Sequence, residues 1–203
     1  SETTIKQALQ QFEGEIEQIP PMHSAVKVNG QPLYKLAHQG IEIEREPRQV
    51  TIYGLEFVSL DETHQRMVIR VACSKGTYVR TLVEDIGEVL GCGAHVCGLR
   101  RITLGPYEEQ DLVTMEALEL IREEEGNAGL DQRLLPLDSS VAEYERVQLD
   151  EDSSYYLRQG QPVQISAAPD QGWVRIYDEN EGFIGVGEIM DDGRVAPRRL
   201  VSE

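Results

Sequence analysis

Between residues 50 and 90 the hydrophobic period changes from two to about 3.6, and that change constrains the fold class more than any other feature of the chain. In residues 66–73, Met67, Ile69, Val71 and Cys73 fall on one side of an alternating pattern. Residues 50–60 hold the β-prone run Thr51-Ile52-Tyr53, and the link Asp61-Glu62-Thr63-His64 is short and polar, so the two runs predict an antiparallel hairpin. In residues 78–90, Val79, Leu82, Val83, Ile86 and Leu90 recur at helical spacing, with Gly91 as a left-handed stop. A hairpin that shares its apolar face with an amphipathic helix defines an α+β domain.

The flanking segments extend that frame. Ile5, Leu9 and Phe12 predict a helix over residues 3–12, capped by Thr3 or Thr4 and ended near Gly14. The run Gln18-Ile19-Pro20-Pro21 excludes a helix, since proline lacks a donor and constrains the residue before it. Residues 23–49 are polar, with a turn at Asn29-Gly30 and a short helix over residues 33–39 stopped by Gly40; they read as an excursion from the main fold, and long excursions often carry function. After Gly93, residues 95–104 return to a strand pattern, and a helix is expected over residues 114–124. Residues 126–140 predict a connector. From about Tyr144, short strands at residues 173–177, 183–189 and 194–201 alternate with turn signals, which predicts a small all-β module over residues 141–203.

Composition narrows the class of function. No window approaches the ~20 apolar residues of a membrane span, and no secretory leader is visible. Three cysteines do not make a disulfide framework, which points to a reducing compartment, the cytosol by default. The chain starts at Ser1 and enters a helical pattern at once, which suggests a piece of a longer protein. The formal net charge of -17 argues, as an average, against nucleic acid. The average conceals a division: residues 1–52 carry a net of -2, residues 53–105 are neutral, and residues 106–203 carry -15.

Three groups of residues invite chemistry. Cys92, His95 and Cys97, with Cys73, are soft metal ligands, but no C-x-x-C spacing supports zinc, and small buried thiols are the plainer reading. The run Ser74-Lys75-Gly76-Thr77-Tyr78-Val79-Arg80-Thr81 lies where strand gives way to helix; it suits an anion, although Ser74 or Thr77 acting as a cap explains it equally. Arg80 is unusual there, because the first helical turn favours acid, so it is expected to meet a carboxylate or a phosphate. The excursion carries His23, Lys27, Tyr34, Lys35, His38, Arg45 and Arg48, interleaved with Glu42, Glu44 and Glu46. It reads either as a salt-bridged loop or as one that stacks on bases and grips phosphates. Arg100 and Arg101 admit the same two readings.

In order and in spacing, several motifs resemble the TruB-type bacterial tRNA pseudouridine synthases. They are Ile19-Pro20-Pro21-Met22-His23-Ser24-Ala25-Val26-Lys27-Val28-Asn29-Gly30, Pro32-Leu33-Tyr34, Cys73 through Thr81, Leu90-Gly91-Cys92-Gly93-Ala94-His95 and Leu99-Arg100-Arg101. The ending from Gly182 to Leu200 is similar to the PUA-like module of those proteins. The resemblance implies part of a pseudouridine-synthase catalytic domain over residues 1–125, a mixed or antiparallel sheet with flanking helices, followed by the β module. It implies isomerisation of uridine 55 in the T loop of tRNA by a monomeric bacterial cytoplasmic enzyme, without metal or organic cofactor.

Residue by residue, the resemblance makes Tyr78 the wall of the pocket beside a flipped-out base, Arg80 the partner of a nucleophilic Asp, and Leu99 an apolar pocket residue. His23, Lys27, Tyr34, Lys35, Lys75, Arg100 and Arg101 would contact RNA, with residues 23–48 forming a thumb loop on the T arm. The family's nucleophilic Asp and the stacking Tyr after it belong to a segment N-terminal to these residues; Asp85, five residues after Arg80, does not match that motif. The 203 residues alone are therefore expected to be inactive. Two rival readings are a tRNA-binding or tRNA-folding module without chemistry and a zinc-stabilised interaction domain.

Overall fold

The computed structural model describes residues 1–63, 65–165 and 167–201; His64, in the predicted hairpin link, lies outside them. The chain forms two compact units, Ser1–Leu99 and Arg100–Glu203.

The first unit begins with helix α1 (Glu2–Gln10), which buries Ile5, Ala8 and Leu9. Its cap is Ser1, whose hydroxyl accepts from the Thr4 N–H, and neither Thr3 nor Thr4 takes that place. Strand β1 (Gly14–Gln18) follows, then the two-residue strands β2 (Lys27–Val28) and β3 (Gln31–Pro32), joined through Asn29 and Gly30 at φ 51° and 82°. That pair of left-handed residues is the hairpin turn the Asn-Gly signal predicts. Helix α2 (Leu33–His38) ends at Gly40, also left-handed, and leads into the long strand β4 (Arg48–Asp61). Strand β5 (Arg66–Cys73) pairs with β4, and the sheet runs β1-β4-β5, antiparallel throughout.

Helix α3 (Val79–Leu90) then packs Leu82 and Ile86 against Ile5, Leu9 and Ile52, with Phe57, Met67, Ile69, Val71 and Cys73 around them. The alternating face of β5 and the helical stripe of α3 thus meet in one core, as the change of period predicts; each buried Leu or Ile there is worth about 2–5 kcal/mol against Ala. Gly91 closes α3 at φ 75°. Gly87 is required by close approach, because a Cβ on it would lie 2.2 Å from the Ala94 backbone nitrogen.

The second unit opens irregularly. Residues 95–104, which span the junction of the two units, form no strand: only an isolated bridge between Leu104 and Tyr107 appears. Alternation there lacks a neighbouring strand to pair with. Helix α4 (Met115–Asp131) is capped by Thr114 as expected but continues past residue 124, with Gly126 breaking the helical geometry at φ 69°, ψ -158°.

Strand β6 (Glu145–Gln148), helix α5 (Glu151–Arg158) and strands β7 (Val163–Gln164), β8 (Gly172–Tyr177), β9 (Phe183–Ile189) and β10 (Arg194–Leu200) make up the module. The sheet order is β6-β8-β9-β10-β7, with β6 parallel to β8 and the other pairs antiparallel. Its core is Val147, Leu149, Leu157, Val174, Ile176, Ile184 and Val195. The module expected to be all-β is β-rich and carries one helix in addition, α5, which starts where Asp150 accepts from the Ser153 N–H at 2.7 Å.

A polar latch ties residues 137–141, a 3-10 turn, to β8. The Asp138 carboxylate accepts from the Tyr177 hydroxyl and, at 3.1 Å, from Arg175, whose Nε donates to the Tyr144 carbonyl at 2.9 Å. The Tyr177 bond, with a backbone hydrogen bond and Arg175 adding to it, holds the Asp138 carboxyl below the usual carboxylate range, and burial raises Tyr177. A carboxyl depressed in the folded state stabilises fully above its unfolded value of about 4 and loses that contribution as pH falls through the lower folded value. Asp138→Asn removes this acid-sensitive part. Urea melts are expected to show a smaller loss of stability between about pH 5 and pH 2 for Asp138→Asn than for the unmodified chain; equal losses would contradict the latch.

Candidate active site

Two backbone features shape the site in the first unit. After β5, Ser74 is clasped to β4: its N–H donates to the Thr51 carbonyl at 2.8 Å and its hydroxyl accepts from the Thr51 N–H at 2.9 Å. Gly76 turns the chain at φ 87°, and α3 starts with Tyr78 as its N-cap, without any side-chain cap and without acid in its first turn. The expectation that Ser74 or Thr77 caps the helix is therefore corrected: Ser74 seals the strand end instead, and only a 3.4 Å contact joins its hydroxyl to that of Thr77.

Across this helix start runs a strap, residues 18–23, between β1 and the β2–β3 hairpin. Its prolines keep it non-helical, and Pro20 is fully buried. Four hydrogen bonds from three side chains hold it. Gln18, 2% exposed, accepts from the Tyr78 N–H at 3.0 Å and donates from Nε2 to the Tyr78 carbonyl at 3.4 Å. Arg45 donates to the Pro20 carbonyl at 3.3 Å and pairs with Glu42 at 3.0 Å. Arg80 donates from Nη2 to the His23 carbonyl at 2.9 Å.

The partner of Arg80 is thus a main-chain carbonyl, and among the described residues no carboxylate pairs with it. The cation sits at a helix start that offers no acid of its own, exposed and facing the strap. Asp85, further along α3, is pushed up by burial and by Glu84 and Glu88, and it is not bonded to Arg80.

The excursion supplies an exposed aromatic group beside the strap. His23 and His38 meet edge to face at 5.7 Å and Tyr34 approaches His38 at 6.4 Å, with Lys27 and Lys35 exposed on the same segment. Lys75 is exposed on the turn before α3. Among the residues expected from sequence, Tyr78, Arg80 and His23 therefore come together through the strap, and Tyr34 joins His23 through His38. Leu99 is 67% exposed on the irregular segment after α3, and Arg100 and Arg101 are exposed in the second unit, where Arg100 lies 3.7 Å from Glu109.

Gln18 was not singled out by the sequence. Its only sequence signal is a polar residue at the last position of a short strand, and its partner is sixty residues away. Cys92 and Cys97 are exposed and not buried as expected, and Cys73 packs against the first core. Among the described residues no three His, Cys, Asp or Glu side chains converge to hold a metal, and no helix is long and apolar enough to cross a membrane.

The architecture is shared with solved structures. The chain aligns over 98% of its length, with a TM-score of 0.73 and 24% identity, to 62% of a chain in the crystal structure of a Cbf5-Nop10-Gar1 complex. It aligns equally well, at 20% identity, to 62% of a chain in the structure of an H/ACA RNP bound to a substrate RNA containing 2'-deoxyuridine. Its fold is that of the aligned chains in these two structures.

Sequence comparison then gives the family. Residues 1–79 match the N-terminal domain of TruB family pseudouridylate synthases, residues 80–142 the tRNA pseudouridylate synthase B C-terminal domain, and residues 146–201 the C-terminal region of pseudouridine synthase II TruB. The chain belongs to the TruB family. It is 52% identical over 197 residues to tRNA pseudouridine synthase B of Pseudomonas aeruginosa (strain UCBPP-PA14) and 48% identical over 199 residues to that of Coxiella burnetii (strain Dugway 5J108-111). It spans 64% of the length of either relative.

Proposed function

We propose that these 203 residues are the larger part of a bacterial, cytoplasmic, monomeric tRNA pseudouridine synthase acting on uridine 55 of the T loop. Residues 1–125 contribute to the catalytic domain, residues 126–140 connect, and residues 141–203 form the PUA-like module. The observation that carries this reading is the pairing of Tyr78 and Arg80 at an uncapped helix start, with Arg80 bonded to the root of an exposed aromatic loop. Relatives named for the same activity support it.

The reaction is an isomerisation and needs no external oxidant or cofactor. An Asp from the segment outside these residues attacks the sugar carbon C1′ of the flipped-out nucleotide and displaces N1 of the base; the base turns, and C5 then bonds to C1′ and displaces the carboxylate, which is regenerated. The C5 hydrogen leaves as a proton and N1 ends protonated. Extruding the base costs a few kcal/mol, which contacts in the pocket must offset. Tyr78 walls the pocket, Arg80 orients the nucleophilic carboxylate, and Leu99 covers the apolar side of the base. His23, Lys27, Tyr34 and Lys35 from the thumb, with Lys75, Arg100 and Arg101, hold the T arm by its shape and its phosphates. Because loss of the C5 hydrogen is intrinsic to the chemistry, the complete enzyme should release tritium from tRNA labelled at C5 of its uridines. Binding of that tRNA without release would overturn the proposal.

A further inference from the structure

We propose that Gln18 is a positioning residue for the reaction, setting the backbone from which Tyr78 and Arg80 project; this rests on the function proposed above. Its neighbours Glu17 and Ile19 are exposed, yet Gln18 is 2% exposed. Burying a primary amide is costly unless both of its halves are bonded. Here both halves bond to one residue, the N–H and the carbonyl of Tyr78. A residue serving only to fill space would be apolar.

The location gives the amide its consequence. Tyr78 is the N-cap of α3, and no side chain caps that helix in the usual way. Gln18 holds the backbone of this N-cap residue from outside the helix, and it does so from the strap whose other end accepts from Arg80 through the His23 carbonyl. One side chain therefore fixes the Tyr78 backbone and the spacing between the strap and Arg80. Displacements near 1 Å at reacting groups cost on the order of a hundredfold in rate.

The test uses the complete enzyme with Gln18→Met and Gln18→Glu. Gln18→Met keeps the volume and removes both bonds; kcat is expected to fall by on the order of 30-fold, with tRNA affinity and KM within about twofold. Gln18→Glu keeps the acceptor and loses the donor while ionised, so its kcat should recover as pH is lowered and the protonated carboxyl donates to the Tyr78 carbonyl. That recovery is not expected of a residue that only stabilises the fold. An unmodified enzyme with no turnover would overturn the proposed function and this inference with it. An active unmodified enzyme whose Gln18→Met variant keeps its kcat, or loses affinity in place of kcat, would overturn the inference alone.

Discussion

Arg80→Ala in the complete enzyme is expected to lower kcat by on the order of a thousandfold while leaving tRNA affinity within about threefold. Arg80 is exposed at the start of α3, and its bond to the His23 carbonyl is its one hydrogen bond among the described residues. A guanidinium in this position is poised to form a charge-assisted pair with a carboxylate, roughly twice as strong as a neutral bond. On the proposed function, its removal leaves the nucleophilic carboxylate without the partner that orients it, a loss felt in the chemical step and little in binding. Arg80→Lys should recover only part of the rate, since an ammonium cannot reproduce the planar fork. Single-turnover rates at saturating enzyme, set beside filter-binding affinities, measure the split; Arg80→Ala with a rate within tenfold of the unmodified enzyme would remove Arg80 from the mechanism.

The second large effect is complete: a mass-verified sample of these 203 residues alone should form no pseudouridine in tRNA. The site brings Tyr78 and Arg80 to the strap beside the aromatic loop, while no carboxylate among the described residues stands against Arg80. Asp85 is no substitute, because it lies further along the helix that carries Arg80 and is not bonded to it. Turnover by the chain alone would require a different residue to do the chemistry. Liquid chromatography of nucleosides from digested tRNA checks this; a pseudouridine peak would contradict it.

Local periodicity made part of this structure legible. The alternation of Met67, Ile69, Val71 and Cys73 and the stripe of Leu82, Ile86 and Leu90 specify which faces meet, because burial leaves only one register for each. Asn29-Gly30 and Gly91 were readable for the same local reason, as positions that take positive φ. The failures are non-local. Residues 95–104 alternate but have no strand to join, and α5 is short and polar, recognisable mainly by its Asp150 cap. Within the site, the family's motifs pointed to Tyr78, Arg80 and His23, which the structure brings together at the strap. The role of Gln18 was not, since its meaning lies in two bonds to a residue sixty positions away.

The most direct measurement is position-resolved mapping of pseudouridine in an unmodified tRNA transcript treated with the complete enzyme. Conversion is expected at uridine 55, and none in a transcript carrying cytidine there. A bound but unmodified tRNA, or conversion confined to other positions, would contradict it.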